Sequence, residues 1–209
     1  MGKEDFVTHQ WIEGPAIAFV KAASPVAISA KGIEHRALIR KLKLQKTKSK
    51  GHGVKAERLA KYASMRGYHA AICYIDCDSN IDKDHKAKIS ILTQGFTNSG
   101  VSIRCIPMVP MAMIENWLLA DAQAYAVVFK QTPKSPALPS KPETIWGSKH
   151  DNLSNHPKRY FNRVIDQFQT KPDDYLNDLA YNSRPTALES KCPSSYSPFY
   201  KDIQSLKDI

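Results

Sequence analysis

One segment limits the possible folds of this chain more than any other: the apolar run at residues 70–75, which leads directly into Asp76-Cys77-Asp78 and Ser79-Asn80. An apolar run of this length, containing isoleucine and tyrosine and ending in turn residues, is typical of a buried strand. Because side chains alternate along a strand, Asp76 and Asp78 are expected on one face, about 6–7 Å apart. Their repulsion costs roughly 2–3 kcal/mol at an effective dielectric of about 20. A divalent cation such as Mg²⁺ removes that cost, so the segment predicts a metal site at the end of a strand.

Composition and cysteine usage place the chain among ordinary globular proteins. Its 209 residues, 42% hydrophobic and 24% charged, predict one domain or one domain with an appendage. No apolar stretch is long enough to cross a bilayer, and Glu4 and Asp5 stand where a secretory signal would be basic, so we expect no membrane association. The cysteines form no CxxC pair, which favours reduced thiols and a cytoplasmic location; they are Cys73, Cys77, Cys105 and Cys192.

The positive charge is concentrated in one segment. Between Lys31 and Arg66 there are twelve lysines and arginines and two glutamates, a net charge of +10 that equals the formal charge of the whole chain. Such a cluster is typical of a protein that binds a polyanion. Few aromatic residues lie among these cations, so we expect contacts with phosphates more than with bases. The predicted nucleic-acid-binding residues are Lys41, Lys43, Lys46, Lys48, Lys50, Lys55 and Arg58.

Strands and helices are predicted to alternate along the first part of the chain. The predicted strands are residues 6–12, 26–29, 70–75 and 101–109, and the predicted helices are 16–23, 33–44, 54–66, 83–93 and 113–129, with a mobile loop at 46–53. This alternation indicates an α/β fold with a mostly parallel sheet flanked by helices. We therefore expect an α/β domain at residues 1–130 and a Pro/Lys-rich linker or loop at 131–145. Residues 146–209 are expected to be a helical C-terminal appendage that packs on the main domain, with short helices at 158–168, 175–181 and 197–206.

Four motifs resemble those of a known family. Glu13-Gly14 after the first predicted strand, and Asp76-Cys77-Asp78-Ser79-Asn80 after a later one, resemble the two acidic motifs of the Toprim domain of topoisomerases, primases and OLD-type nucleases. Residues 110–121 (PMAMIENWLLAD) are similar to an E-x-W-L-x-A-D segment of small stand-alone Toprim-like proteins, as are Cys192-Pro193-Ser194 and Phe199 to their C-terminal CPS stretch. Those proteins are often encoded beside an ABC-type or AAA-type ATPase in bacterial phage-defence islands. The resemblance covers most of the chain and implies a Toprim-like (Rossmann-like) sheet.

The resemblance also implies roles for individual side chains. It implies Mg²⁺-dependent (or Mn²⁺-dependent) phosphodiester hydrolysis in which Asp76 and Asp78 bind the metal. Glu13 would be the general base or the ligand of a second ion, and Asn80 would contact a metal-bound water. Glu115 is the best remaining carboxylate, because its predicted helix starts just after a strand end.

One position departs from the family pattern. Many relatives carry a second acidic residue shortly after the Glu-Gly turn, but here Pro15-Ala16-Ile17 follow. Either Glu115 or Asp121 completes the metal shell, or the site binds metal weakly.

These observations predict a Toprim-type nuclease that acts on nucleic acid, DNA in preference to RNA, as the effector subunit of an anti-phage system with an ATPase partner. Two alternatives remain open. One is a non-catalytic nucleic-acid-binding or adaptor subunit with a degenerate acidic site. The other is a HAD-like phosphatase, in which Asp76 would attack phosphate and Asp78 would be the acid/base; the position of Asn80, where that family has Thr or Val, counts against it.

Overall fold

The computed structural model describes residues 14–42 and 46–208. The predicted strand at 6–12, the predicted ligand Glu13 and the predicted phosphate contact Lys43 lie outside the described residues. In chain order the helices and strands are α1 (Pro15–Ala23), α2 (His35–Lys41), α3 (Gly53–Met65), β1 (Ala70–Tyr74), α4 (Asp82–Ser99), β2 (Arg104–Met108), α5 (Glu115–Leu118), α6 (Ala122–Phe129), α7 (Pro157–Asp166), α8 (Leu176–Asn182), α9 (Pro185–Lys191) and α10 (Tyr196–Gln204). Short 3₁₀ helices occur at Pro142–Thr144, Pro172–Asp174 and Ser205–Asp208.

The two strands of the described residues pair in parallel, with Ile72 opposite Ile106. Helix α4 connects them, as a parallel pair requires. Apolar side chains leave the pair on both faces: Ile72 and Ile106 pack into one hydrophobic cluster, and Cys73 into a second, smaller cluster with α3 and α4. The predicted α/β class and the predicted helices on both faces of a parallel sheet are therefore confirmed for these two strands.

The larger cluster surrounds Trp117 of α5, which is fully buried. Its indole makes edge-to-face contacts with Phe19 of α1 at 5.4 Å and with Tyr196 of α10 at 5.0 Å between ring centroids. Such aromatic pairs stabilise a core by about 0.5–1.5 kcal/mol beyond their buried area. Residues on both sides of the predicted linker thus share one core, which holds the helical C-terminal part against the sheet.

The packing of α3 against α4 explains why one helix is longer than predicted. The sequence predicts that this helix ends before Gly95, but α4 continues to Ser99 and ends at Gly100, whose φ is +68°. A Cβ atom at residue 95 would overlap with the carbonyl group of Gly53 at the start of α3. Gly95 is therefore a close-contact residue between two helices, a role that its sequence neighbours do not reveal.

Two other predictions of secondary structure were wrong, and one helix was not predicted. Residues 26–29, which the sequence predicts to be a strand, do not form one. The single helix predicted at 113–129 is two helices, because Asp121 adopts an extended conformation and accepts a hydrogen bond from the amide of Gln123, as an N-cap does. Helix α9 was not predicted; it begins at Pro185, in the first-turn position that proline favours. Among the described residues, no helix is both long enough and apolar enough to cross a membrane.

Candidate functional site

Beyond the end of β1, the loop that carries the two aspartates continues to form backbone hydrogen bonds with the segment that follows β2. The amide of Asp78 donates to the carbonyl of Ala112 at 2.7 Å, and the amide of Ala112 donates to the carbonyl of Ser79 at 2.9 Å. Asp78 and Ala112 both have left-handed backbone conformations, with φ of +54° and +56°. Aspartate tolerates this conformation, but for alanine it costs about 1–2 kcal/mol. Non-glycine residues in such conformations are enriched at binding and catalytic sites.

Asp76 is half-buried, and its Oδ1 accepts two hydrogen bonds. The donors are the hydroxyl of Tyr74, at 2.7 Å, and the backbone amide of Ile114, at 3.0 Å. Burial raises the pKa of Asp76, and these hydrogen bonds only partly offset that effect. Because both donors use Oδ1, Oδ2 is the oxygen through which Asp76 can bind a cation.

Glu115 lies near Asp76, as expected for the first residue of a helix that follows β2. Burial raises the pKa of Glu115, and the charge of Asp76 raises it further. The phenol of Tyr74 lies among three carboxylates: burial raises its pKa most, and Asp76, Glu115 and Asp78 each add to the increase. The structure thus brings three of the predicted acidic residues, from two parts of the chain, close to one tyrosine.

Asp78 and Asn80 differ from Asp76 in their surroundings. The side chain of Asp78 is 69% exposed, and its Oδ2 lies 3.7 Å from Nζ of Lys88 on α4. Nζ of Lys88 also lies 3.4 Å from Nε2 of His52, at the start of α3. The side-chain amide of Asn80 donates to the backbone carbonyl of Thr144 at 3.4 Å. Asp78 therefore faces solvent beside a lysine, a residue that the sequence analysis did not assign to the site.

The convergence of Glu13 with the aspartate pair is still a prediction, because residue 13 is not described. Within residues 14–42 and 46–208, no group of three or more histidine, cysteine, aspartate or glutamate side chains has the geometry of a metal site. Asp76, Asp78 and Glu115 provide only oxygen donors, which suit Mg²⁺ or Mn²⁺ better than a soft metal.

Asp121, the other carboxylate considered for the metal shell, is buried and forms an ion pair with Arg184 instead. Its side chain is 1% exposed, and Nη2 of Arg184 lies 2.7 Å from its Oδ1. Oδ2 accepts from the backbone amide and from Nε of Arg184, both at 2.9 Å. Burial by itself raises the pKa of Asp121, but these bonds outweigh it and hold the pKa below its ordinary value. The carboxylate is occupied by a structural contact between α6 and the start of α9.

The basic segment is exposed but anchored. The side chains of Lys41, Lys46, Lys48 and Lys50 are exposed, and those of Lys55 and Arg58 are half-buried. The loop predicted to be mobile is tied to α3 by Glu57, which is fully buried. Its Oε2 accepts from the amides of Lys48 and Ser49 at 3.0 Å each, and its Oε1 accepts from Nζ of Lys61 at 2.7 Å. A buried carboxylate thus accepts hydrogen bonds from two backbone amides of the loop that the sequence predicts to be mobile.

Two of the motifs that resemble Toprim-like proteins, the segment 110–121 and the C-terminal CPS stretch, are in contact in the core. The indole N–H of Trp117 donates to the hydroxyl of Ser195 at 2.7 Å, and that hydroxyl donates to Oε1 of Glu143 at 2.6 Å. Glu143 also accepts from the amides of Ser194 and Ser195, at 3.0 and 2.7 Å. Sequence reasoning missed Glu143, since one acidic residue in a Pro/Lys/Ser-rich stretch gives no pattern to recognise. These motif residues hold α5 to α10 and do not line the acidic site.

One concavity of the described residues lies away from these carboxylates. A shallow depression of about 620 Å³ is lined by Tyr68, His69, Ser102, Ile103, Arg104 and Cys105, at the amino ends of β1 and β2. The carboxylates lie at the opposite ends of these strands, where ligands of parallel sheets bind. We therefore place the candidate site at the carboxylates. Comparisons of the chain with protein-family models, with curated proteins and with solved structures find no match.

Proposed function

We propose that this protein is a Mg²⁺-dependent or Mn²⁺-dependent nuclease of Toprim type. The observation that supports the proposal most is the grouping of Asp76, Asp78 and Glu115 around Tyr74 at the carboxyl end of β1. Half-buried carboxylates with raised pKa values, beside two loops that each contain a left-handed non-glycine residue, are typical of a functional site. Nearby cations supply the complementary surface for a polyanionic substrate.

In this proposal each side chain has a stated task. Oδ2 of Asp76 and the exposed carboxylate of Asp78 hold the metal, with Glu13 as the third predicted ligand. When bound, the metal neutralises charge on the phosphoryl oxygens and activates water. Glu115, whose pKa is raised by burial and by the charge of Asp76, accepts or donates a proton. Lys88 binds a phosphate oxygen beside Asp78.

The direct test is cleavage of single-stranded DNA, duplex DNA and RNA by the purified protein in Mg²⁺, in Mn²⁺ and in EDTA. We expect metal-dependent cleavage that is lost in Asp76→Asn and in Glu13→Gln. Glu115→Gln should slow it by about 10²- to 10⁴-fold, the usual effect of removing a general acid or base. Asp82→Asn is the matched control, because Asp82 is an exposed aspartate of α4 paired with Lys86. Cleavage that persists in Asp76→Asn, or in EDTA, would rule the proposal out.

The resemblance further suggests that the protein is a cytoplasmic anti-phage effector with an ABC-type or AAA-type ATPase partner. The E-x-W-L-x-A-D segment does not supply the partner surface, because Trp117 and Leu118 are fully buried. Co-purification of the tagged protein with the product of a neighbouring ATPase gene would test this. We expect a Trp117 variant to lose the complex only if it also loses its fold.

A second candidate is a nucleic-acid-binding subunit that does not cleave. The 3.7 Å contact between Lys88 and Asp78 favours it, because a lysine can neutralise the charge that a metal would otherwise balance. If the basic segment contacts about six phosphates, affinity should fall roughly a thousandfold between about 50 and 200 mM salt. Binding with this salt dependence but without cleavage under any metal condition would favour this candidate over the nuclease.

A further inference from the structure

A second cationic surface, outside the basic segment, carries an exposed aromatic ring. We call it the Trp146 surface and define it by Trp146, Lys149, Lys158 and Arg159. Trp146 is 42% exposed, whereas the other described tryptophan, Trp117, is fully buried. Lys149 and Lys158 are exposed and Arg159 is half-buried. The partly exposed indole of Trp146 belongs to neither hydrophobic cluster.

These cations lie near one buried histidine. His156 is 8% exposed, and its ring lies 5.7 Å from the ring of Trp146. Burial lowers the pKa of His156, and Arg159, Lys149 and Lys158 lower it further through their charges. All three cations are therefore near the histidine whose ring lies beside Trp146.

The loop that carries Trp146 is held in place by its own contacts. A Cβ atom at Gly147 would lie 3.0 Å from the amide nitrogen of His156, so the two backbone segments are in close contact. Nη1 of Arg163 donates to the carbonyls of Asn152 and Ser154, both at 2.7 Å, and Nε of Arg159 donates to the carbonyl of Lys149 at 2.8 Å. A surface that is ordered before binding loses less conformational entropy when a ligand binds.

One hydrogen bond and one electrostatic interaction place this surface near the acidic site. Asn80, in the aspartate loop, bonds to the carbonyl of Thr144, two residues before Trp146. On the other side, Lys158 is close enough to Glu115 for its charge to lower the pKa of that carboxyl, against the larger effect of burial. A chain bound at Asp76 can therefore extend onto the Trp146 surface.

We propose that the Trp146 surface binds a single-stranded segment of nucleic acid, with a base stacked on the indole and phosphates paired with Lys149, Lys158 and Arg159. Lysine and arginine side chains suit a phosphate backbone, and an exposed indole suits an unpaired base. A duplex keeps its base faces stacked internally and has none to offer Trp146. In single-stranded nucleic acid every charged phosphate comes with an aromatic base that can stack on the indole. An acidic polypeptide supplies the negative charges without such a base. This proposal rests on the proposed function in taking nucleic acid as the substrate, but it does not require cleavage.

The experiment is fluorescence anisotropy with a fluorescein-labelled single strand of about 15 nucleotides, the length that a module of this kind covers. EDTA prevents cleavage, and a duplex of the same sequence and an unlabelled polyglutamate competitor are measured in parallel. We expect Trp146→Ala to weaken single-strand binding by about 5- to 100-fold, the effect of losing one stacked base. Duplex binding should change less than about twofold, and Trp146→Phe should retain most single-strand affinity. Tyr181→Ala is the control, because Tyr181 is another exposed aromatic residue, 63% exposed, on α8.

Three results would overturn the inference: no single-strand binding by the wild-type protein, equal losses for single strand and duplex in Trp146→Ala, or no loss in that variant. Competition by polyglutamate that depends equally on Trp146 would assign the surface to an acidic protein instead. If cleavage is absent but binding depends on Trp146, the nuclease proposal fails and this one holds. If cleavage is present and Trp146→Ala binds normally, the reverse is true.

Discussion

Replacement of Asp121 with asparagine separates the structural role of this carboxylate from the catalytic one that its motif suggests. Asparagine caps a helix as well as aspartate does, so the hydrogen bond from the Gln123 amide to Oδ1 should survive. The variant loses the charge that pairs with Arg184 and places an amide where Oδ2 accepts two of the hydrogen bonds of that residue. The change therefore reports on the ion pair and leaves the cap intact.

The expected loss follows from the burial of the two partners. Breaking a fully buried ion pair costs about 3–5 kcal/mol. Here Asp121 is 1% exposed but the side chain of Arg184 is 57% exposed, so water replaces part of the interaction. We expect a loss of about 2–3 kcal/mol in the free energy of unfolding, since a hydrogen bond to a charged group contributes about 1.5–3 kcal/mol. For a chain of this length the melting temperature should fall by roughly 4–12 °C.

The assay is urea unfolding at neutral and acidic pH. Since the folded protein holds the pKa of Asp121 below its ordinary value, the unfolded chain takes up the proton first as pH falls. The ion pair therefore makes its full contribution to the stability of the folded protein at pH values above the pKa of aspartate in the unfolded chain, about 3.9. This contribution is lost as the pH falls through the lower pKa of Asp121 in the folded protein. The difference between wild type and Asp121→Asn should be constant near neutral pH and shrink in acid.

Two measurements can refute this reasoning. In a double-mutant cycle with Arg184→Gln we expect a coupling of at least about 1 kcal/mol, because the two side chains are in direct contact. The control Asp82→Asn removes an exposed pair with Lys86 and should change stability by less than about 1 kcal/mol. A coupling near zero, or equal losses in the two aspartate variants, would show that the Asp121 pair does not hold α6 to α9.

The remaining predictions concern the packing around the site. Glu57→Gln should expose the loop before α3 to proteolysis, because the buried carboxylate satisfies two of its amides; unchanged cleavage rates at residues 46–53 would contradict this. A glycine-to-alanine change inside a helix normally stabilises it by about 1 kcal/mol. Gly95→Ala should instead lower the free energy of unfolding by about 1–3 kcal/mol, because the added Cβ atom would overlap with Gly53. A rise in the melting temperature of that variant would disprove the close contact. Ser195→Ala should lower the free energy of unfolding by about 1–3 kcal/mol, since it leaves the indole N–H of Trp117 without its partner; a chemical denaturation curve that overlays the wild type would contradict this.

Local patterns were enough to predict the strand, the loop and most helices near the candidate site. The apolar run before Asp76 is a strand because a buried, β-branched and aromatic segment of that length has few other conformations available. The loop follows because its polar residues are those that close strands. Alternation of burial also continues past the strand: Ile75 and Cys77 are buried, while Asp76 and Asp78 face outward. The position of Glu115 near Asp76 follows from the parallel arrangement of two neighbouring strands.

Other features depend on contacts between residues far apart in the chain, which no local pattern encodes. Sequence spacing does not distinguish Trp117 from Trp146, yet one is fully buried and the other is 42% exposed. The same holds for the acidic residues: Asp121 meets Arg184, 63 positions away, and Glu143 meets Ser195, 52 positions away. A carboxylate becomes a structural partner or a candidate ligand according to whether a distant donor reaches it. The amino-acid sequence by itself therefore determined most of the strands and helices near the candidate site, and only the tertiary structure decided which charged and aromatic side chains remain available to a ligand.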